Sequence, residues 1–129
     1  MSTRKQINEQ IEAYAKAVRD RKPEAASELF AERFDHIVHG AGTDPKNPWN
    51  TKRETTREGI RKTYEDFFSN VIEMTVKYTD RTIDVESYSA AMVVYVNCGN
   101  TCMENALQIK WNDKGKIIFF YNWYGQSIN

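Results

Sequence analysis

The sequence predicts an α+β fold in which three N-terminal helices pack on a mixed, mainly antiparallel β-sheet. Two observations carry that expectation. Apolar residues recur three or four positions apart as far as residue 71, and at every second position after it. The punctuation changes as well: capping residues and Pro23 mark the first half, whereas Gly99-Asn100 and "NDKG" mark turns in the second.

Taken in order, Ile7, Ile11, Tyr14 and Val18 give residues 3–20 the rhythm of a helix with one buried stripe. Thr3 with Gln6 forms a capping box at its start. Pro23 suits the first turn of a second helix, whose apolar side, Ala26, Leu29, Phe30 and Phe34, carries it to about residue 33. "FDHIVHGAG" then reads as a short strand over 35–39 running into a loop. The stretch 43–56, "TDPKNPWNTKRETT", has no periodicity and is expected to be a surface loop, with Trp49 as its one large apolar residue. Trp49 is placed to close over a pocket or to contact a second subunit. Thr55 and Glu58 form a second capping box for a helix bearing Ile60, Tyr64, Phe67, Phe68 and Val71. Gly59 costs that helix about 1 kcal/mol against alanine, which points to close packing there.

Beyond it, Ile72, Met74, Val76 and Tyr78 alternate with polar residues, describing a strand with one wet face. "AAMVVYVNC" and "MENALQIKW" form a hairpin around Gly99-Asn100, pairing Asn97 with Cys102 and Cys98 with Thr101. Cys98 and Cys102 then point to opposite faces and are expected to be free thiols. The last strand, "KIIFFYNWYG", is apolar on both faces: Ile118, Phe120, Asn122 and Tyr124 on one, Ile117, Phe119, Tyr121 and Trp123 on the other. Either a second subunit covers the outer face, or the strand is central with scattered exposed aromatics.

The composition removes several function classes. A chain of 129 residues is expected to form one domain over 1–129 that buries a core without disulfide or metal staples. Eighteen basic residues balance eighteen acidic ones, so no net field draws in nucleic acid or an anionic membrane. The longest apolar run, "AAMVVYV", is far short of a membrane span, and "MSTRKQINEQ" has no apolar leader region, so a cytoplasmic location is expected. On a strand His36 and His39 fall on opposite faces, which argues against a metal pair, and Gly40 and Gly42 lack the spacing of a phosphate loop.

The segments "YAKAVRDRKPEAASELF" (14–30), "REGIRKTYEDFF" (57–68), "AAMVVYVNC" (90–98) and "GKIIFFYNWYG" (115–125) resemble, in this order, the nuclear transport factor 2-like superfamily. Ketosteroid isomerases, polyketide cyclases of the SnoaL-like kind and scytalone dehydratase belong to it. The resemblance implies a cystatin-like cone, with helices on a strongly bent sheet, a conical pocket and a homodimer through the outer sheet face. It implies an isomerase-like oxyanion tyrosine at Tyr14 and a supporting tyrosine at Tyr64. The isomerases' proton-shuttling aspartate falls on Val38 or His39, and their second oxyanion acid on Leu107, so ketosteroid isomerase activity itself is not expected.

Three residues are candidates for chemistry. His39, with Asp35 beside it, has the residue type to exchange protons near neutrality, or is a strand-end residue bonded to backbone or water. Tyr14 either donates to a ligand carbonyl or bonds Tyr64 in the core. Tyr64, Phe68, Val94, Val96 and Met103 are expected to line the pocket. Asn105, Leu107, Phe120, Asn122 and Tyr124 complete the lining, with Asn122 the polar interruption of an apolar face. The expected occupant is a small apolar or aromatic molecule. The expected function is ligand binding or a cofactor-free isomerase or lyase reaction; the alternative is a non-catalytic dimeric binding or assembly module.

Overall fold

A computed structural model describes residues 3–40, 51–99 and 101–125, in which three helices pack through one apolar core against a six-stranded sheet. Helix α1 (Arg4–Arg19) begins at the expected capping box. The Gln6 N–H donates to Thr3 Oγ1 and the Thr3 N–H to Gln6 Oε1, both at 3.1 Å. Its stripe of Ile7, Ile11, Tyr14 and Val18 is buried, and each of the two isoleucines contributes about 2 kcal/mol through that burial.

Helix α2 (Pro23–Glu28) has Pro23 in its first turn but ends at Glu28, well before residue 33. Phe30 and Phe34 belong instead to strand β1 (Phe30–His39). This strand pairs in parallel with β6 (Ile117–Trp123), and its register shifts between Phe30 and Asp35. Both phenylalanines are buried, four residues apart on one face, with ring centroids 4.8 Å from each other. That spacing imitates a helix face, which is why the sequence pattern extends the helix too far.

Strand β2 (Thr51–Glu54) occupies part of the stretch expected to be loop, antiparallel to β1 from His36 opposite Glu54 to His39 opposite Thr51. Gly42 and Trp49 lie outside the described residues. Helix α3 (Arg57–Ser69) is capped by Thr56, not Thr55, through a 3.1 Å bond from the Gly59 N–H. A Cβ at Gly59 would meet the Glu54 carboxylate, the free end of a side chain that can swing aside, and the Thr56 hydroxyl at 3.0 Å, so the helix packs tightly here only against movable groups. The Arg57 guanidinium donates twice to the Phe30 carbonyl, at 3.0 and 2.9 Å, and so fixes the start of α3 on the start of β1.

Strand β3 (Thr75–Asp84) starts three residues later than its apolar alternation suggests. The N–H groups of Ile72 and Glu73 both turn to the Cys98 carbonyl, and Ile72 is left 71% exposed. Strands β4 (Ser89–Asn97) and β5 (Cys102–Trp111) adopt the expected register, Asn97 opposite Cys102. The Cys98 N–H donates to the Thr101 carbonyl, and neither Cys98 nor Cys102 is in a disulfide. In β6 a register shift against β5, between Lys110 and Trp111, buries Ile117 rather than grouping Ile118 with Phe120. The sheet order is β2-β1-β6-β5-β4-β3, with β1-β6 the parallel pair. No helix among the described residues is long and apolar enough to cross a membrane.

Candidate functional site

The helices meet the inner sheet face around a cavity of about 90 Å³, room for several water-sized groups. The α1 stripe carries Tyr14 into it and the α3 stripe carries Tyr64. Val94 and Val96 from β4, and Met103, Asn105 and Leu107 from β5, form the sheet wall because the hairpin register turns them all to one face. Strand β6 adds Phe120 and Asn122, followed by Tyr124. The cavity opens toward a rim holding Lys52 and Glu54 of β2 and Lys62 and Asp66 of α3.

At its floor three polar side chains form a chain. The Tyr14 and Tyr64 hydroxyls lie 2.6 Å apart, and the Tyr64 hydroxyl lies 3.3 Å from His36 Nε2. The imidazole stacks on Phe120 at 4.6 Å, the two ring planes nearly parallel at 7°. Burial lowers the His36 pKa to about 4, against a smaller raising effect from a hydrogen bond to its own backbone. The imidazole is therefore neutral. With its proton on Nδ1, Nε2 accepts from Tyr64 and Tyr64 from Tyr14; with the proton on Nε2 both bonds run the other way. Burial also pushes the pKa values of Tyr14, Tyr64 and Tyr78 well up, so all three remain uncharged hydroxyls.

Two amides sit in the wall. Asn105 Oδ1 accepts from the Gly125 N–H at 3.0 Å, and Gly125 lies so close to the Glu104 carbonyl that no Cβ fits. Asn122 Oδ1 is buried and has no hydrogen-bond partner among the described residues.

Ten of the eleven residues expected to bind a ligand line this cavity. The other, Phe68, stacks on the far side of Tyr64, centroids 5.7 Å apart, and belongs to the core behind the wall. The proton-moving pair expected from sequence lies elsewhere. His39 bonds Thr51 at 2.9 Å and packs beside Tyr121, on the strand face opposite His36. The half-exposed Asp35 approaches Arg53 at 3.7 Å. His36 takes the inner place, with Val38 beside it. Strand periodicity separates the two histidines by face but carries no sign of which face is inward. Val18, Thr63, Phe67, Val76 and Tyr78 also line the cavity; the apolar pattern marks all but Thr63 as inward-facing, but nothing in it separates cavity wall from filled core. Among the described residues no group of three His, Cys, Asp or Glu side chains is placed to hold a metal ion.

No protein-family model and no curated protein sequence matches the chain. Solved structures do. The epoxide hydrolase/cyclase-like enzyme SalBIII, described for its role in pyran ring formation in the polyether salinomycin, is similar with a TM-score of 0.76 at 16% identity, over 98% of this chain and 95% of that one. A protein of unknown function with a cystatin-like fold from Methylobium petroleophilum PM1 has a TM-score of 0.77 at 14% identity, covering 98% of this chain and 80% of its own. A SnoaL-like protein of unknown function from Burkholderia thailandensis E264 has a TM-score of 0.73 at 10% identity, covering 97% and 98%. At such identities the likeness establishes the architecture, and chemistry has to be argued from the site.

Proposed function

On the cystatin-like α+β fold of the SnoaL-like and nuclear transport factor 2-like proteins, we propose that this chain binds a small, neutral, largely apolar molecule and transforms it as a cofactor-free isomerase or lyase. The observation that carries the reading is the Tyr14–Tyr64–His36 chain, set in the floor of an otherwise apolar cavity. Such a chain moves a proton without placing an isolated charge on any one oxygen. Tyr14 takes a proton from the substrate as its own passes to Tyr64 and that of Tyr64 passes to His36 Nε2.

The low basicity of His36 restricts the reactions open to this chain of groups. An imidazolium in this pocket is costly, so the proton must be handed back within the same turnover. Returned to a second carbon or oxygen of the substrate it gives an isomer. Returned to a departing hydroxide it gives water and an alkene. Both outcomes conserve charge.

A second reading, a binding module without turnover, draws on the fact that no carboxylate among the described residues lines the inner cavity. A panel of cyclic ketones and hydroxyketones, with native mass spectrometry for binding and NMR for conversion, separates the two. The expected result is a one-to-one complex and a conversion that Tyr64→Phe slows by about a hundredfold. Binding without conversion assigns the module, and the absence of both removes the proposal.

A further inference from the structure

We propose that the cavity holds its ligand by an uncharged oxygen acceptor, of the kind a ketone carries, to which Tyr124 donates its hydroxyl proton and Asn122 an Nδ2 proton. The inference rests on the cavity being a binding site and names the chemistry of the molecule it takes. At the floor the Tyr14, Tyr64 and His36 side chains already bond one another. Tyr124 and Asn122 offer donors that nothing in the protein takes up.

Among the described residues the Tyr124 hydroxyl has no hydrogen-bond partner, yet it is not sealed off. The residue lines both the inner cavity and its mouth, and burial raises the pKa of the hydroxyl, which therefore keeps its proton. Asn122 has its Oδ1 enclosed in the wall, so the end of the amide left to line the cavity is the Nδ2 donor, which also has no partner among the described residues. The two residues stand two positions apart along one face of the chain, about 7 Å between their Cα atoms. One oxygen with two lone pairs serves both.

The backbone at Tyr124 is fixed from two strands. Its N–H donates to the His39 carbonyl of β1 at 3.0 Å, and the next N–H, that of Gly125, donates to Asn105 Oδ1 of β5, also at 3.0 Å. The buried Asn105 amide thus helps to hold in place a phenol that bonds nothing else in the protein. The ligand's oxygen is uncharged, because no lysine or arginine among the described residues lines the inner cavity and a carboxylate there would stand unpaired. It is an acceptor, because Nδ2 can only donate and a ligand donor would leave it bare. Tyr78 also has a hydroxyl without a hydrogen bond among the described residues, but it stands three strands away on β3, where the charges of Arg19 and Glu12 act on it.

Cyclohexanone and methylenecyclohexane, alike in shape and differing in the acceptor, are the probes. Their affinities are measured by NMR titration of the wild-type chain, of Tyr124→Phe and of Asn122→Leu. The expected result is that each substitution weakens the ketone about tenfold and leaves the alkene unchanged or tighter. In either variant, equal changes for both probes or no loss of ketone affinity overturns the two-donor assignment while the cavity remains a binding site. Failure of both probes to bind the wild-type chain overturns the cavity reading itself. Should a variant not fold, the wild-type complex serves: the carbonyl carbon resonance of the bound ketone must lie downfield of its position in hexane, and the protons beside the carbonyl must show NOEs to the Tyr124 ring. A resonance at the hexane position, or no such NOEs, refutes the proposal.

Discussion

His36 is a histidine kept neutral by its surroundings, and that makes the stability of the fold sensitive to acid. Its pKa falls from the ordinary value near 6.5 in the unfolded chain to about 4 in the folded one. Between those values the unfolded chain binds the extra proton and the folded chain does not, so stability is complete above about pH 6.5 and drains away as the pH drops toward 4. From pH 7 to pH 5 the loss attributable to this side chain is about 2 kcal/mol. His36→Phe, which keeps a ring against Phe120, should lose less stability over the same interval by that amount. Urea denaturation of both proteins at the two pH values measures it, and parallel losses would remove His36 as the source. The inward face of this residue was not legible in the sequence for a specific reason. Phe34 and Val38 share a face with His36, but Ile37 on the other face is buried too, so neither side of "FDHIVH" reads as wet. Tyr14 and Tyr64 were legible because each lies on the one apolar stripe of a helix with a charged opposite side.

At the scale of elements, what the sequence disclosed depends on how local the determining interactions are. Helix α1 and the β4-β5 hairpin are specified within themselves, by the Thr3 box and by the turn at Gly99, and both appear as read. Strand β1 is specified by β6, some eighty residues away in sequence, and by the two bonds from Arg57, so no local pattern announces where it begins. Helix α3 shows the limit of local reading at single-residue resolution. Two adjacent threonines compete for its cap, and the Thr55-Glu58 spacing favours the wrong one. The Gly59 N–H is bonded by Thr56, whose backbone is extended at φ −119° and ψ 148°. Thr56→Ala should therefore lower stability by about 1 kcal/mol, while Thr55→Ala stays close to wild type. Thermal melts of the two variants decide it, and a larger loss at Thr55 would reinstate the box.

For the whole molecule the open question is what covers the outer face of the sheet. The helices cover the inner face, and across the outer one runs a row of Val93, Ala106 and Trp123 on three neighbouring strands. Trp123 is 39% exposed and stacks on Tyr121 with centroids 3.9 Å apart, Tyr121 packs beside Phe119, and Tyr95 on β4 is 40% exposed. The small Ala106 lies between Val93 and Trp123, which leaves the patch shallow enough for an identical face to settle on it. Apolar surface gathered in this way on a sheet whose other face is already committed fits a self-complementary, two-fold contact with a second copy. The chain should then be a dimer at micromolar concentration, with twice the mass of one chain by light scattering. Tyr95→Glu combined with Trp123→Glu places charge in the contact and should give a monomer whose circular dichroism is unchanged. A wild-type monomer at that concentration would rule the pairing out. Because the cavity opens on the opposite side of the sheet, between β2 and α3, the monomeric variant should bind a cyclic ketone as tightly as the dimer does. A fall in that affinity on separating the copies would instead show that the second subunit helps to shape the pocket.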